Sequence, residues 1–242
     1  MKNLSSFQPS GSDDELTASK WMPRFYYSHY HLTAAAFFAR QSAKIERNNP
    51  SGNVGSSEDF LQHRAYVTGC IFSSVSFLEA QINEVFTDAA EDKRDFIHPL
   101  GDRIFLFAEM WRLDVPRRAS FPILKKYEIA LALAEKGRFD RGDLIYQDTE
   151  LLIKLRNALI HYEPLSSTGS AKASVDEEQR FRGKFALNPL TGSKTPFFPE
   201  RCIGHGCAQW AVTTSVRFVD HFCERLGIKP FFDSVRDSLN TT

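Results

Sequence analysis

Three side chains in the run QDTELLIKLRNALIHYEP (residues 147–164) have the chemistry of a phosphodiester-cleaving site: Arg156, Asn157 and His161. Histidine exchanges a proton near neutral pH and serves as a general base or acid. Arginine presents a planar fork of donors that matches phosphate oxygens and holds the charge that builds in a phosphorane transition state. On RNA, a base that draws the 2′-hydroxyl proton lets that oxygen attack the adjacent phosphorus. That reaction needs no metal or cofactor. The other reading is that Arg156 and His161 only cap and brace a helix end, and spacing alone leaves both open.

The element that must carry these groups is a helix. With Leu155 as reference and ~100° per residue, Leu151, Leu152, Ala158 and Leu159 fall within roughly 60° of it and form a core stripe. Arg156, Ile160, Ile153, Asn157 and His161 share the opposite arc. A solvated face seldom carries two isoleucines, and a core face seldom carries an arginine. The mixture suits a second buried contact, such as a homodimer seam that encloses polar groups. Arg156 and His161 lie about 140° apart on one helix, so they converge more readily across two copies than within one.

The rest of the chain reads as helices and loops. Residues 1–19 are polar and acidic and read as a disordered tail. Helices are expected over residues 21–45 and 58–89, separated by the turn-rich ERNNPSGNVGSS, and over 102–112 and 122–136, the last closed by Gly137. Asp143 caps the helix that runs to Tyr162, before Pro164. Residues 163–201 form a long, irregular, polar insertion, of a length that is usually functional or disordered. A last helix over 207–226 is closed by Gly227 and Pro230, leaving 229–242 as a tail. The fold class is all-α, with one domain over residues 20–228.

Composition narrows the function. The 242 residues are 42% hydrophobic, enough for one substantial core. Lys plus Arg and Asp plus Glu are both 30, so nucleic acid is not announced by net charge and must be handled by a local site. The start of the chain lacks the apolar core of a signal peptide, and the longest purely apolar stretch, residues 34–39, is far short of the ~20 residues that span a bilayer. Four sparse cysteines suggest a reduced, cytoplasmic setting.

Other signals are weaker. In the second helix, Ser76, Glu79 and Asn83 form a polar seam at steps of three and four, in which Glu79 either orients Arg156 or His161 or makes a structural bond within the bundle. Cys202, His205 and Cys207, with His221 and Cys223, fit no standard zinc spacing well. His29 and His31 flank Tyr30 in an aromatic-rich first helix and read as packing or surface residues. Residues 112–141 hold eight Lys or Arg against four Asp or Glu, either an RNA-steering surface or an ordinary solvated one.

The run Arg156-Asn157-x-x-x-His161, after Gln147-Asp148 and before Tyr162-Glu163-Pro164, resembles the R-x4-6-H signature of the HEPN superfamily. The segments SSVSFLEAQINE (Ser73 to Glu84) and CAQWAVTTSVRFVDHF (Cys207 to Phe222) are similar to a branch of uncharacterised prokaryotic members, so the resemblance threads most of residues 60–227. It implies an antiparallel helical bundle, usually homodimeric, with metal-independent endoribonuclease activity in many members. Such proteins often act in toxin–antitoxin or antiviral defence systems, and the partners implied are an RNA substrate and a cognate antitoxin. Arg156 and His161 map onto the catalytic pair and Asn157 onto the accompanying polar position, with Glu79, Asn83 and Tyr162 in supporting places. Other members are non-catalytic modules that bind nucleotides or proteins, and that alternative stands beside the enzyme.

Overall fold

The apolar repeat of the second helix places it at the centre of the molecule. A computed structural model describes residues 24–50, 57–117, 121–162 and 178–242. Every regular element among them is helical: α1 (Tyr27–Asn48), α2 (Ser57–Ala90), α3 (Ile104–Arg112), α4 (Ile123–Leu133), α5 (Leu144–Ile160) and α6 (His205–Leu226). 3₁₀ segments cover His98–Arg103 and Phe231–Ser238. The expected N-terminal tail and residues 163–177 of the insertion lie outside the described residues, and the first helix starts at Tyr27 and not at Trp21, Tyr26 being its extended N-cap. No helix among the described residues is long and apolar enough to cross a membrane.

α1 and α2 pack antiparallel, since Tyr26 meets Asp88, Ser28 meets Glu84 and Glu46 meets His63. The face of α1 toward α2 is made of small residues: Ala35, Ala36, Ala39 and Ala43 are all buried. Opposite them, a Cβ on Gly69 would stand 3.1 Å from the Phe38 ring, so glycine at that position lets the ring rest against α2. The start of α1 is held by carboxylates of α2. The Ser28 amide donates to Glu84 Oε1 at 2.9 Å, satisfying one of the helix's orphan N–H groups, and the Tyr26 hydroxyl donates to Asp88 at 3.0 Å. Arg24 closes an ion pair with the same aspartate at 2.7 Å. Burial pushes Glu84 up to about 7 and Asp88 up to about 6, outweighing the Ser28 and Arg24 interactions that favour their charged forms.

α4 crosses α2 with Tyr127 fully buried. Its hydroxyl donates to the Leu78 carbonyl at 2.8 Å, and its ring stands edge-on to Phe218 and Phe222 of α6. α5 then packs against α2 and α6, with Leu152 and Leu155 at 0% and 1% exposure, so the inward stripe lies where the periodicity puts it. Asp143 is the expected cap, its Oδ1 accepting the Ile145 amide at 3.1 Å. Gly227 closes α6 in the left-handed region at φ 79°.

Three further expectations are corrected. α4 ends before Gly137: Glu135 takes the left-handed turn at φ 53°, the Lys136 amide returns to the Leu131 carbonyl at 2.8 Å, and Arg103 pairs with the Glu135 carboxylate. The described part of the insertion carries short helical turns at 178–181 and Phe197–Arg201 and contributes to the core. Phe181, Phe197, Phe198, Cys202 and Ile203 are buried there, and the Asn188 amide donates to the carbonyls of Glu200 and Ile203. Residues 229–242 are also no loose tail, because Phe231 and Phe232 are 1% and 0% exposed, and Phe232 stands edge-on to Phe77 with ring centroids 5.3 Å apart.

Two outcomes test this architecture. Phe232→Ala is expected to lower stability by about 3–5 kcal/mol in urea unfolding, the range for truncating a core phenylalanine; a loss under about 1 kcal/mol would mean that the segment is a tail after all. Glu84 and Asp88 bind protons more tightly when folded, so their contribution is full below about pH 4 and is lost as pH rises through about 6 and about 7. Glu84→Gln keeps the acceptor for Ser28 without the charge. In paired thermal melts it is expected to stabilise the protein at pH 8 by on the order of 1–3 kcal/mol and to change little at pH 4.

Candidate functional site

The three motif residues leave α5 in different surroundings. Arg156 is partly buried, and its Nε is enclosed without a hydrogen-bond partner among the described residues. An enclosed donor left unpaired costs about 1–3 kcal/mol. Asn157 is exposed and lines a groove of about 500 Å³ between α4 and α5, together with Ile123, Leu124, Tyr146 and Ile153. His161 is exposed and forms the C-cap of α5, its amide donating to the Asn157 carbonyl at 2.9 Å. Ile153 therefore belongs to the groove wall, whereas Ile160, about two turns further along the same row, is 50% exposed. The charged neighbours Glu150 and Lys154 pair with each other at 2.9 Å and leave the motif groups alone.

The supporting residues divide. Among the described residues no hydrogen bond or ion pair joins Glu79 to the motif helix, the contact its orienting reading called for. Glu79 forms an ion pair with Lys126 of α4, whose ammonium also donates to Asn83 Oδ1 at 3.2 Å. The polar seam of α2 is thus the socket for a lysine whose side chain is 4% exposed, a charge that cannot be left there unpaired. Tyr162 is 43% exposed, and its ring stands 6.2 Å from that of Phe198.

Beside Tyr162 the structure adds a pair that no local pattern signals. Arg64 of α2 pairs with Glu200 and lies over the Phe60 ring at 5.1 Å, and its Nε too is enclosed without a hydrogen-bond partner among the described residues. Burial lowers the pKa of this guanidinium, with Cys202 and Tyr162 acting in the opposite direction. Arg64 and Glu200 are 136 positions apart, so nothing in the sequence joins them.

The remaining signals resolve into structural roles. Arg112, Arg117, Lys125, Lys126 and Arg141 each have a carboxylate partner, so the basic stretch of residues 112–141 is largely neutralised in place. His205 spends its ring on the Ala39 carbonyl at 3.1 Å and its amide on Glu46 at 2.7 Å. His221 accepts from Arg225 at 2.9 Å, and all four cysteines are buried. Among the described residues no group of three or more His, Cys, Asp or Glu is arranged to hold a metal ion. His29 bonds the Phe231 carbonyl at 2.5 Å and helps to seat the C-terminal segment.

The Glu79–Lys126 pair is testable apart from any activity. Glu79→Ala is expected to cost about 1.5–3 kcal/mol in urea unfolding, as for a hydrogen bond to a charged group. An unchanged urea midpoint would show that the carboxylate is not what holds Lys126.

No protein-family model matches the chain, and no curated protein or solved structure matches it, so the site is read from its own geometry and from the sequence resemblance.

Proposed function

We propose that the protein is a metal-independent endoribonuclease of HEPN type, acting as a homodimer in which two copies of α5 build one site. The observation that carries this reading is the pairing on one helix of Arg156, whose enclosed Nε lacks a partner, with the exposed His161 at the helix end. Their separation of about 140° on a single helix keeps them from one phosphate. Two antiparallel copies about a twofold axis would pool two arginines and two histidines. One histidine would take the 2′-hydroxyl proton, the other would protonate the leaving 5′-oxygen, and the arginines would hold the charge on phosphorus. Asn157 would hydrogen-bond the substrate beside them. Exposed Ile160 supplies an apolar contact for the seam. Growth arrest in toxin–antitoxin or phage-defence roles, with an antitoxin as partner, follows from the same reading.

A second reading is a non-catalytic module that binds a nucleotide or a protein. It is favoured by the groove of about 500 Å³ in which Asn157 lies beside an apolar wall, a place for a base or a side chain that involves neither Arg156 nor His161.

Incubation of the purified protein with RNA, with and without a chelator, tests the enzyme. Arg156→Ala and His161→Ala are each expected to lower cleavage by a factor of about 10² or more while far-ultraviolet dichroism stays unchanged. Ile160→Asp should lose both the dimer and the activity. Cleavage that survives His161→Ala would remove histidine as the base, a fully active monomer would remove the shared site, and nucleotide binding without cleavage would favour the module.

A further inference from the structure

α1 has its side chains the opposite way round from a helix on the outside of a monomer. Its buried face is nearly all small: Ser28, Ala35, Ala36, Ala39, Ser42 and Ala43, with Leu32 the one large side chain. Its large side chains point outward. Tyr27, Tyr30 and Phe37 are 65%, 55% and 45% exposed. At ~100° per residue, Tyr27, Tyr30, His31, Ala34, Phe37 and Gln41 fall on one arc of roughly 120° away from the centre of the buried face, with Phe38 where that arc meets α2. Ring contacts make it a continuous surface at each end: Tyr27 packs against Tyr30 at 5.5 Å, Phe37 against Phe38 at 5.7 Å, and Phe38 stacks on Tyr66 of α2 at 6.2 Å.

Nothing on this arc carries a fixed charge. Between Tyr27 and Gln41 it holds no acid, lysine or arginine. Burial lowers the pKa of His31 and so disfavours its charged form. Arg40 turns aside to donate to the carbonyls of Ser238 and Asn240. Taking ~200 Å² for an aromatic side chain, the three exposed rings leave on the order of 330 Å² in contact with water. That is the apolar centre of a contact of standard size, ~800 Å² on each partner once a polar rim is added.

We infer that the outward face of α1 is an interface between two copies of this chain, distinct from the α5 seam. A twofold contact sets a surface against itself, so a patch of one sign would repel its own image, whereas an uncharged aromatic face accepts it. A nucleic acid would ask the reverse, since stacking platforms for single strands are interleaved with cations, and this arc has none. Ala34 lies at the middle of the arc, where a small residue lets two helices cross closely. The inference does not rest on ribonuclease activity.

The test is the mass of the assembled full-length protein by sedimentation velocity, with a cross-link as a second readout. Tyr30→Glu combined with Phe37→Glu alters exposed positions only, and is expected to halve the assembled mass while leaving the melting temperature close to that of the parent protein. Ala34→Cys is expected to give an oxidation-dependent covalent dimer, because the four native cysteines are buried and silent. That cross-link should persist when Ile160→Asp is added, which separates this face from the α5 seam. A mass unchanged in the double variant, or the absence of the cross-link, overturns the inference. So does a wild-type monomer, or a double variant that loses binding to phosphatidylcholine vesicles at unchanged mass.

Discussion

The arrangement depends first on how closely α1 approaches α2. Alanines at positions 35, 36, 39 and 43 take almost no space between the two helices, and Gly69 admits the Phe38 ring beside them. With α1 drawn in this far, α2 is covered on that side from about His63 to Asp88, and its other sides are left for α3, α4, α5 and α6. The same approach has an electrostatic consequence. It takes Glu84 and Asp88 out of water, so burial disfavours the charged forms of the carboxylates that hold the start of α1 and raises their pKa values to about 7 and about 6. Close packing of small residues and poorly solvated acids are one design seen from two ends of the helix pair.

That enclosure explains why the motif helix is so tightly specified on one side and so open on the other. Leu152 and Leu155 have no freedom against α2 and α6, and Asp143 fixes where the helix begins. The orientation of Arg156 and the end at His161 follow from those constraints. Neither residue is held in place by a carboxylate among the described residues, unlike most of the cations of the 112–141 stretch. Structural charges here are matched: Lys126 has Glu79 and Asn83, and Glu128 receives Lys125, Arg141 and the Tyr146 hydroxyl. Arg64 and Arg156 both have an enclosed, unmatched Nε, but Arg64 has Glu200 as its ion-pair partner and no carboxylate pairs with Arg156 among the described residues.

What the sequence makes legible is whatever depends on near neighbours. The span of α2, the inward stripe of α5, the Asp143 cap and the Gly227 stop each follow from residues within a turn or two of one another. The end of α4 is the exception: Glu135 accepts a left-handed turn that a nearby glycine advertised, and Arg103, 32 positions away, pairs with it there. The burial of Phe231 and Phe232, the socket for Lys126 and the Arg64–Glu200 pair are likewise decided by partners far along the chain. A 3₁₀ turn with two consecutive phenylalanines has no period to reveal which side is inward. Glu79 shows the limit well, because burial demands that it have a partner but does not say which helix supplies it.

For the candidate site the sequence offers residue types and spacing but not surroundings. Arg156, Asn157 and His161 announce themselves by residue type and spacing, yet nothing local says that Asn157 faces α4 while His161 faces solvent. The difference matters mechanistically. A single helix offers a phosphate either the Asn157 groove or the His161 end, about 6 Å apart along the axis at ~1.5 Å per residue and separated in angle from Arg156. Acid, base and charge stabiliser can meet only if another surface brings a second set of the same groups. For a single copy of α5, binding in the groove is chemically complete on its own, whereas phosphodiester cleavage with paired histidines is not. Assembly is therefore the variable that separates the two functions open to this helix.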